Sequence, residues 1–187
     1  FQNGAMPELR VFNADGSEAN NCVNGLRCVA FLYDLKNTYI QIKTKRFLVN
    51  KTSNGATVKG ELPKVEKIRD YFVIKFGNNH IAKSCENIDR FKLHEEYKKI
   101  RTTKPYNEIK DFNMSVFKIC EDIIRIRTYE NGTGETLSCG SATISVAYAL
   151  SKELNSNELK ISSRGGDTIV RILDDGVISD ASPEIIR

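Results

Sequence analysis

The sequence predicts an α+β protein, and three observations carry the prediction. Segments that alternate apolar and polar at period two, the mark of half-buried strands, are spread along the chain. Two other segments are small and apolar on nearly every face, as helices enclosed by protein are. One unit of short strand, glycine-containing loop, cysteine and helix occurs twice.

The repeat appears when Cys22 is laid on Cys139 without a gap. Phe12 then falls on Tyr129, Glu18 on Glu135, Val29 on Val146, Ala30 on Ala147 and Phe31 on Tyr148. In the first copy a strand beginning at Leu9 leads through Gly16 to Cys22 and a helix through Leu26, Val29, Ala30, Phe31, Leu32 and Leu35. Strands follow at Tyr39–Lys43 and Thr57–Lys59, and Pro63 with the charged stretch to Asp70 reads as a crossing. Next come a strand at Tyr71–Phe76, a helix at Cys85–Lys99 and a strand at Met114–Ile119. Ile124, Ile126 and Thr128 alternate with Arg125, Arg127 and Tyr129 to open the second copy, whose helix follows Cys139. Strands at Leu159–Ser162 and Thr168–Leu173 complete the chain, joined by a turn at Gly165 and Gly166.

Composition narrows the function. The 187 residues suit one domain or two small lobes, and 40% hydrophobic content supports a core. No apolar run approaches the roughly 20 residues of a membrane span, and no secretory leader is recognisable, so a cytoplasmic location is expected. The net charge of +4 is spread along the chain rather than gathered on a face, which argues against nucleic acid. Lys98, Lys99 and Arg101 read as a solvated helix end. Five cysteines without CxxC spacing, and two histidines away from ligand spacing, argue against a disulfide framework and a zinc site. No pyridoxal-phosphate signature, dinucleotide fingerprint or P-loop is evident, so no cofactor is expected.

Each repeated cysteine stands at the N-terminus of an enclosed helix. Free N–H groups and the positive helix end there lower a thiol's pKa and attract anions. Two such groups facing one another suit inversion of an amino-acid Cα, where one removes a proton and the other delivers one. The helix N-termini would then steady the substrate carboxylate. Cys28, Cys85 and Cys120 read as packed apolar positions. His80 reads as a loop residue, His94 as solvated, and Asp15 and Glu18 as loop-ordering groups.

These residues resemble the diaminopimelate epimerase family. The resemblance rests on Phe12 to Glu18 followed by Cys22 to Cys28, on Tyr129 to Ser141, on Gly77-Asn78-Asn79-His80 and on Asn113. It implies two pseudo-symmetric lobes, each a curved, mostly antiparallel sheet around a central helix. Residues 1–67 would form an incomplete first lobe, rejoined by 175–187, and 68–174 the second. It also implies interconversion of LL- and meso-diaminopimelate, on the route to lysine and peptidoglycan, commonly by a homodimer. Cys22 and Cys139 would be the two bases, assisted by His80 and Glu130. Asn13, Asn78 and Asn113 would hold the distal end of the substrate, and the amides of Val23, Asn24, Gly140 and Ser141 its α-carboxylate.

The chain departs from the family at several points. Val23 and Ala142 replace glycines, Asn79 a proline, and Asn131 an arginine that pairs with the distal carboxylate. Family members carry a segment before the first signature, which begins almost at once here, so part of the first lobe is expected to be missing and Phe1–Ala5 reads as a cloning remnant or the chain as a fragment. An uncovered sheet edge is expected to follow. Two further functions are therefore carried: a racemase for an amino acid without a distal carboxylate, and a silent remnant that binds a partner.

Overall fold

The computed structural model describes residues 6–13 and 15–184; Phe1–Ala5 and the last three residues of the expected 175–187 segment lie outside them. Ten-residue α1 (Val23–Leu32) buries Val23, Leu26 and Ala30, one stripe at helical spacing. Its end is marked by Asp34 at φ 51°. Twelve-residue α3 (Gly140–Ser151) is buried on almost every face, as its small, apolar composition requires. Shorter α2 (Leu93–Thr102) buries Leu93, Tyr97 and Ile100, with Glu95 and Glu96 in its first turn and Lys99 and Arg101 in its last. Those charges match the helix dipole at both ends.

The strands are β1 (Thr38–Ile42), β2 (Lys45–Lys51), β3 (Ala56–Gly60), β4 (Lys64–Ile68), β5 (Tyr71–Phe76), β6 (Asn78–Ser84), β7 (Phe112–Cys120), β8 (Ile123–Glu130), β9 (Gly134–Thr136), β10 (Glu158–Ser163), β11 (Gly166–Leu173) and β12 (Gly176–Ala181). They form one mixed sheet in the order β1-β2-β3-β12-β11-β10-β8-β7-β6-β5-β4, with β9 paired to β8. Its ladders are antiparallel except β6–β7 and β8–β10. The α+β class therefore stands: a large mixed sheet with few helices. Buried apolar side chains fall into two clusters. The larger gathers α1 and α3 against both halves of the sheet, and the smaller lies under α2.

Several expectations are corrected. The helix expected from Cys85 begins at Leu93, because the Cys85 N–H still bonds Phe117 O beyond β6 and Asn87 Oδ1 accepts from the Arg90 N–H in a turn. The Pro63–Asp70 crossing is mostly strand β4, whose alternation was masked by exposure of Lys64, Val65, Glu66 and Lys67. The strand of the first repeat is reduced to two isolated bridges, Glu8 to Gln41 and Phe12 to Glu18. The uncovered edge is moderated at both ends of the sheet. β4 carries charged side chains, and Pro7 and Leu9 cover the middle of β1 through two backbone bonds at 2.8 Å each.

The seam that joins the first strands to the last is β3–β12, and glycine closes it at both ends. A Cβ on Gly55 would stand 2.4 Å from Ala181 O, and one on Gly176 2.6 Å from Gly60 O. Backbone is the obstacle in each case, so a side chain there must force the ladder apart. Gly55→Ala is expected to lower stability by about 2 kcal/mol or more. Lys64→Ala, on the exposed edge, should change it by less than about 0.5 kcal/mol. Urea unfolding midpoints of the two variants check this; equal midpoints would contradict the seam.

Candidate active site at two helix N-termini

Cys22 and Cys139 are the N-cap residues of α1 and α3. The two helix starts meet. Asn24 Nδ2 donates to Ser138 O at 3.2 Å, and the side chains of Val23 and Asn24 lie directly over Gly140. A Cβ on Gly140 would fall 2.7 Å from Asn24 Oδ1 and 2.9 Å from Val23 Cβ, so only glycine lets the helices approach this closely. The first-turn amides of Val23, Asn24, Gly140 and Ser141 are the donors an α-helix leaves without an intrahelical acceptor. The loops of the two repeats also touch: a Cβ on Gly132 would stand 2.9 Å from Asp15 Oδ2.

The thiols are not tuned as the helix ends alone would dictate. Cys139 is 7% exposed, and burial pushes its pKa up to about 12, with the Glu130 carboxylate adding to the rise. The Ser141 hydroxyl, 3.5 Å from the sulfur, and the Ala142 N–H oppose this and lose. Cys22 is half-buried; burial raises it too, against the Gly25 N–H that donates to its sulfur at 3.4 Å. A helix N-terminus supplies about 0.3–1 kcal/mol. The rise at Cys139 corresponds to about 4 kcal/mol. The expected lowering is thus overturned by desolvation.

Glu130 is the group that acts on both sulfurs. It ends β8, and Thr136 Oγ1 from β9 donates to its Oε1 at 2.6 Å. Asn78 reaches the first cysteine turn by donating to Asn21 O at 3.4 Å, while Asn21 Nδ2 donates to Phe76 O at 3.0 Å. Asn113 is buried in β7, and its Oδ1 accepts from the Asn131 N–H at 3.0 Å. Asn131 Oδ1 in turn accepts from the Tyr97 hydroxyl at 2.7 Å. Asn13 donates to Ser17 Oγ at 3.0 Å within its own loop, which Asp15 orders by accepting from the Ser17 N–H and hydroxyl.

His80 is not on a loop. It lies in β6, 1% exposed, beside Asn113 in the parallel β6–β7 register. Neither ring nitrogen has a partner among the described residues, and burial pushes its pKa down to about 3. It is therefore neutral near pH 7. Cys28 is exposed rather than packed, because it lies on the outer face of α1; Cys85 and Cys120 are half-buried. His94 is exposed, as expected, but stacks on Tyr129 at 5.0 Å.

The structure thus brings Cys22, Val23 and Asn24 together with Cys139, Gly140 and Ser141, with Glu130 between them in effect. Asn13, His80 and Asn113 share no hydrogen bond with either cysteine turn among the described residues. A groove of about 880 Å³ passes beside Asn24, Arg27, Ser138 and Gly165, but neither sulfur lines it. Arg27, Asn21 and Thr136 escaped the sequence reading. Arg27 alone carried a signal, as an arginine on the apolar stripe of α1 one turn after Asn24. Among the described residues no cluster suits a metal ion, and no helix is long and apolar enough to cross a membrane.

The chain is 30% identical over 192 residues to a diaminopimelate epimerase of Nitrosomonas europaea, covering 87% of this chain and 69% of that protein. It is 31% identical over 168 residues to that of Flavobacterium psychrophilum, and 29% over 189 residues to that of Buchnera aphidicola, covering 83% and 84% of the chain. The chain spans 64% and 65% of the length of these last two. No protein-family model matches. Among solved structures, a PhzF-family phenazine biosynthesis protein of Bacillus anthracis aligns at TM-score 0.71 and 14% identity, over 92% of this chain and 76% of that one. One of Enterococcus faecalis aligns at 0.67 and 16%, over 95% and 75%. At these identities the likeness is one of fold.

Two predictions follow from the burial of these groups. Cys139 should alkylate about a thousandfold more slowly than an unperturbed thiol near pH 8, its rate still rising about tenfold per pH unit from 7 to 10. Mass-spectrometric kinetics with iodoacetamide check this; a plateau below pH 9 would contradict it. His80 has a folded pKa below its unfolded value near 6.5, so its contribution is complete above that pH and is lost as pH falls toward 3. Across that window it should cost about 1.4 kcal/mol per pH unit. His80→Gln should remove that component from the acid limb of the stability curve; an unchanged limb would count against a buried neutral imidazole.

Proposed function

We propose, given that the chain belongs to the diaminopimelate epimerase family, that it is a cofactor-independent epimerase interconverting LL- and meso-diaminopimelate through Cys22 and Cys139. The observation that carries this reading is the meeting of two cysteine-capped helix starts, Asn24 on Ser138 and Val23 on Gly140, with Glu130 acting on both sulfurs. In the reaction one cysteine is a thiolate that takes the Cα proton, and the other a thiol that delivers one to the opposite face. Their ionisations are coupled, so apparent pKa values belong to the pair. The first-turn amides of both helices hold the α-carboxylate and stabilise the carbanion as charge develops.

Burial raises both thiols, so a base must help the reactive thiolate form as substrate enters. Entry parts Val23 from Gly140, which frees the amides and admits the carboxylate. Glu130, held by Thr136, is the nearby base that relieves Cys139 of its proton, and His80 supports the fold of the site as a neutral ring. Asn13, Asn78 and Asn113 bind the distal end. Two lobes, 1–67 with 175–187 and 68–174, belong to the same reading, supported by the pairing of β12 with β3. A homodimer is part of it as well.

Asn131 favours a second reading. Its amide is engaged by Tyr97, and a carboxamide recognises a distal carboxylate less strongly than a guanidinium does. That is the pattern expected of a racemase for an amino acid with a different side chain. The seating of valine on Gly140 favours a third, a silent remnant retained as a binding or assembly partner.

Incubation with each diaminopimelate isomer in D₂O decides among them. Inversion with deuterium entering Cα, abolished in Cys22→Ala and Cys139→Ala, is the expected result. No exchange with either isomer would refute the diaminopimelate assignment. Exchange with another amino acid would then mark the racemase, and exchange with none the remnant.

A further inference from the structure

Arg27 lies in α1, 4% exposed, on the same face as Val23 and Leu26. No carboxylate stands within ion-pair distance of it among the described residues. One terminal nitrogen, Nη1, donates to Asn24 Oδ1 at 2.7 Å; the other, Nη2, donates to the hydroxyl of Ser179 in β12, itself fully buried. Its Nε has no partner among the described residues. Its hydrogen-bond acceptors are all neutral, and the Asp180 charge favours it only from beyond ion-pair distance. A cation so buried is less favourable than an apolar side chain of similar volume, so its presence calls for a role beyond stability.

The hydrogen bonds define that role. A guanidinium only donates, so the Asn24 atom facing it must be the oxygen, and the amide nitrogen must be the one that faces Ser138. That nitrogen holds the carbonyl immediately before Cys139, while Asn24 itself lies two residues after Cys22. The chain of contacts Ser179–Arg27–Asn24–Ser138 therefore ties β12, the first turn of α1 and the entry to α3 into one strut. Lysine, with a single nitrogen, cannot span both acceptors as the planar fork does.

We propose that Arg27 is a positioning residue that orients Asn24 and so sets the two cysteine-bearing helix N-termini in register for proton transfer. The inference rests on the two-cysteine reading above. The Arg27 charge also favours the thiolate of Cys22, as the smallest of the influences on it after burial, the Gly25 N–H and the charges of Glu130 and Cys28.

The test uses Arg27→Met and Arg27→Lys in the full chain, with stability, Cα–deuterium exchange kinetics and alkylation rates of Cys22 and Cys139. Arg27→Met is expected to stay folded, to lose about tenfold or more in kcat with little change in KM, and to alkylate more slowly at Cys22. Arg27→Lys should recover the Cys22 alkylation rate, because the charge returns, but not kcat, because the fork does not. A folded Arg27→Met with kcat within twofold of wild type and unchanged alkylation overturns the proposal, as does full recovery of kcat in Arg27→Lys.

Should Arg27→Met fail to fold, Ser179→Ala removes only the β12 anchor. A loss of kcat at constant KM then supports the strut, and an unchanged kcat overturns it. If the wild-type chain exchanges no amino-acid Cα proton, it is the two-cysteine reading that falls. The strut is then judged by alkylation alone: an altered ratio of Cys22 to Cys139 rates supports it, an unaltered ratio overturns it.

Discussion

The close approach of two helix N-termini is the constraint on which the rest of this structure depends. Helices that start side by side present positive ends and unsatisfied N–H groups to one another, an arrangement that is unfavourable until something intervenes. Here the intervening groups are the Asn24 side chain, the Val23 side chain over a glycine and, within reach of both sulfurs, the Glu130 carboxylate. Both helices share one apolar cluster, and the β3–β12 seam joins the first three strands to the rest of the sheet. Relaxing the contact at Gly140 would therefore disturb core packing and site geometry together.

Burial and helix-end electrostatics act in opposite directions at this contact, and their magnitudes decide the outcome. A dipole contribution of about 1 kcal/mol does not offset enclosure of a thiol worth several times as much. The protein consequently keeps Cys139 as a thiol near neutral pH. This state protects the sulfur from oxidation and alkylation.

Much of this was legible in the sequence. The helices after Cys22 and Cys139 were marked by small, apolar residues without a polar face, and the ungapped repeat placed both cysteines at equivalent N-caps. Strand alternation located β5, β7, β8, β10 and β11 closely. What could not be read depends on distant neighbours. β4 looks like a linker because its side chains are solvent-facing, and its strand character comes from the β5 ladder alone. His80 follows three residues typical of turns, yet the parallel pairing with β7 buries it. The sign of the thiol shifts depends on how completely α3 is enclosed, which a local helix-end argument omits. Arg27 stood out on the apolar stripe of α1, but its acceptors Asn24 and Ser179 were set by the fold.

The central claim, that two cysteines serve opposite faces of one carbon, is tested most directly by where deuterium first appears. LL-diaminopimelate converted in D₂O to a few per cent should yield meso product carrying deuterium at the inverted carbon, while the remaining LL substrate carries none. That distribution requires one group to remove the proton and a different, solvent-equilibrated group to deliver another. Product that retains its original protium would mean a single base returning the same proton, and would contradict the account.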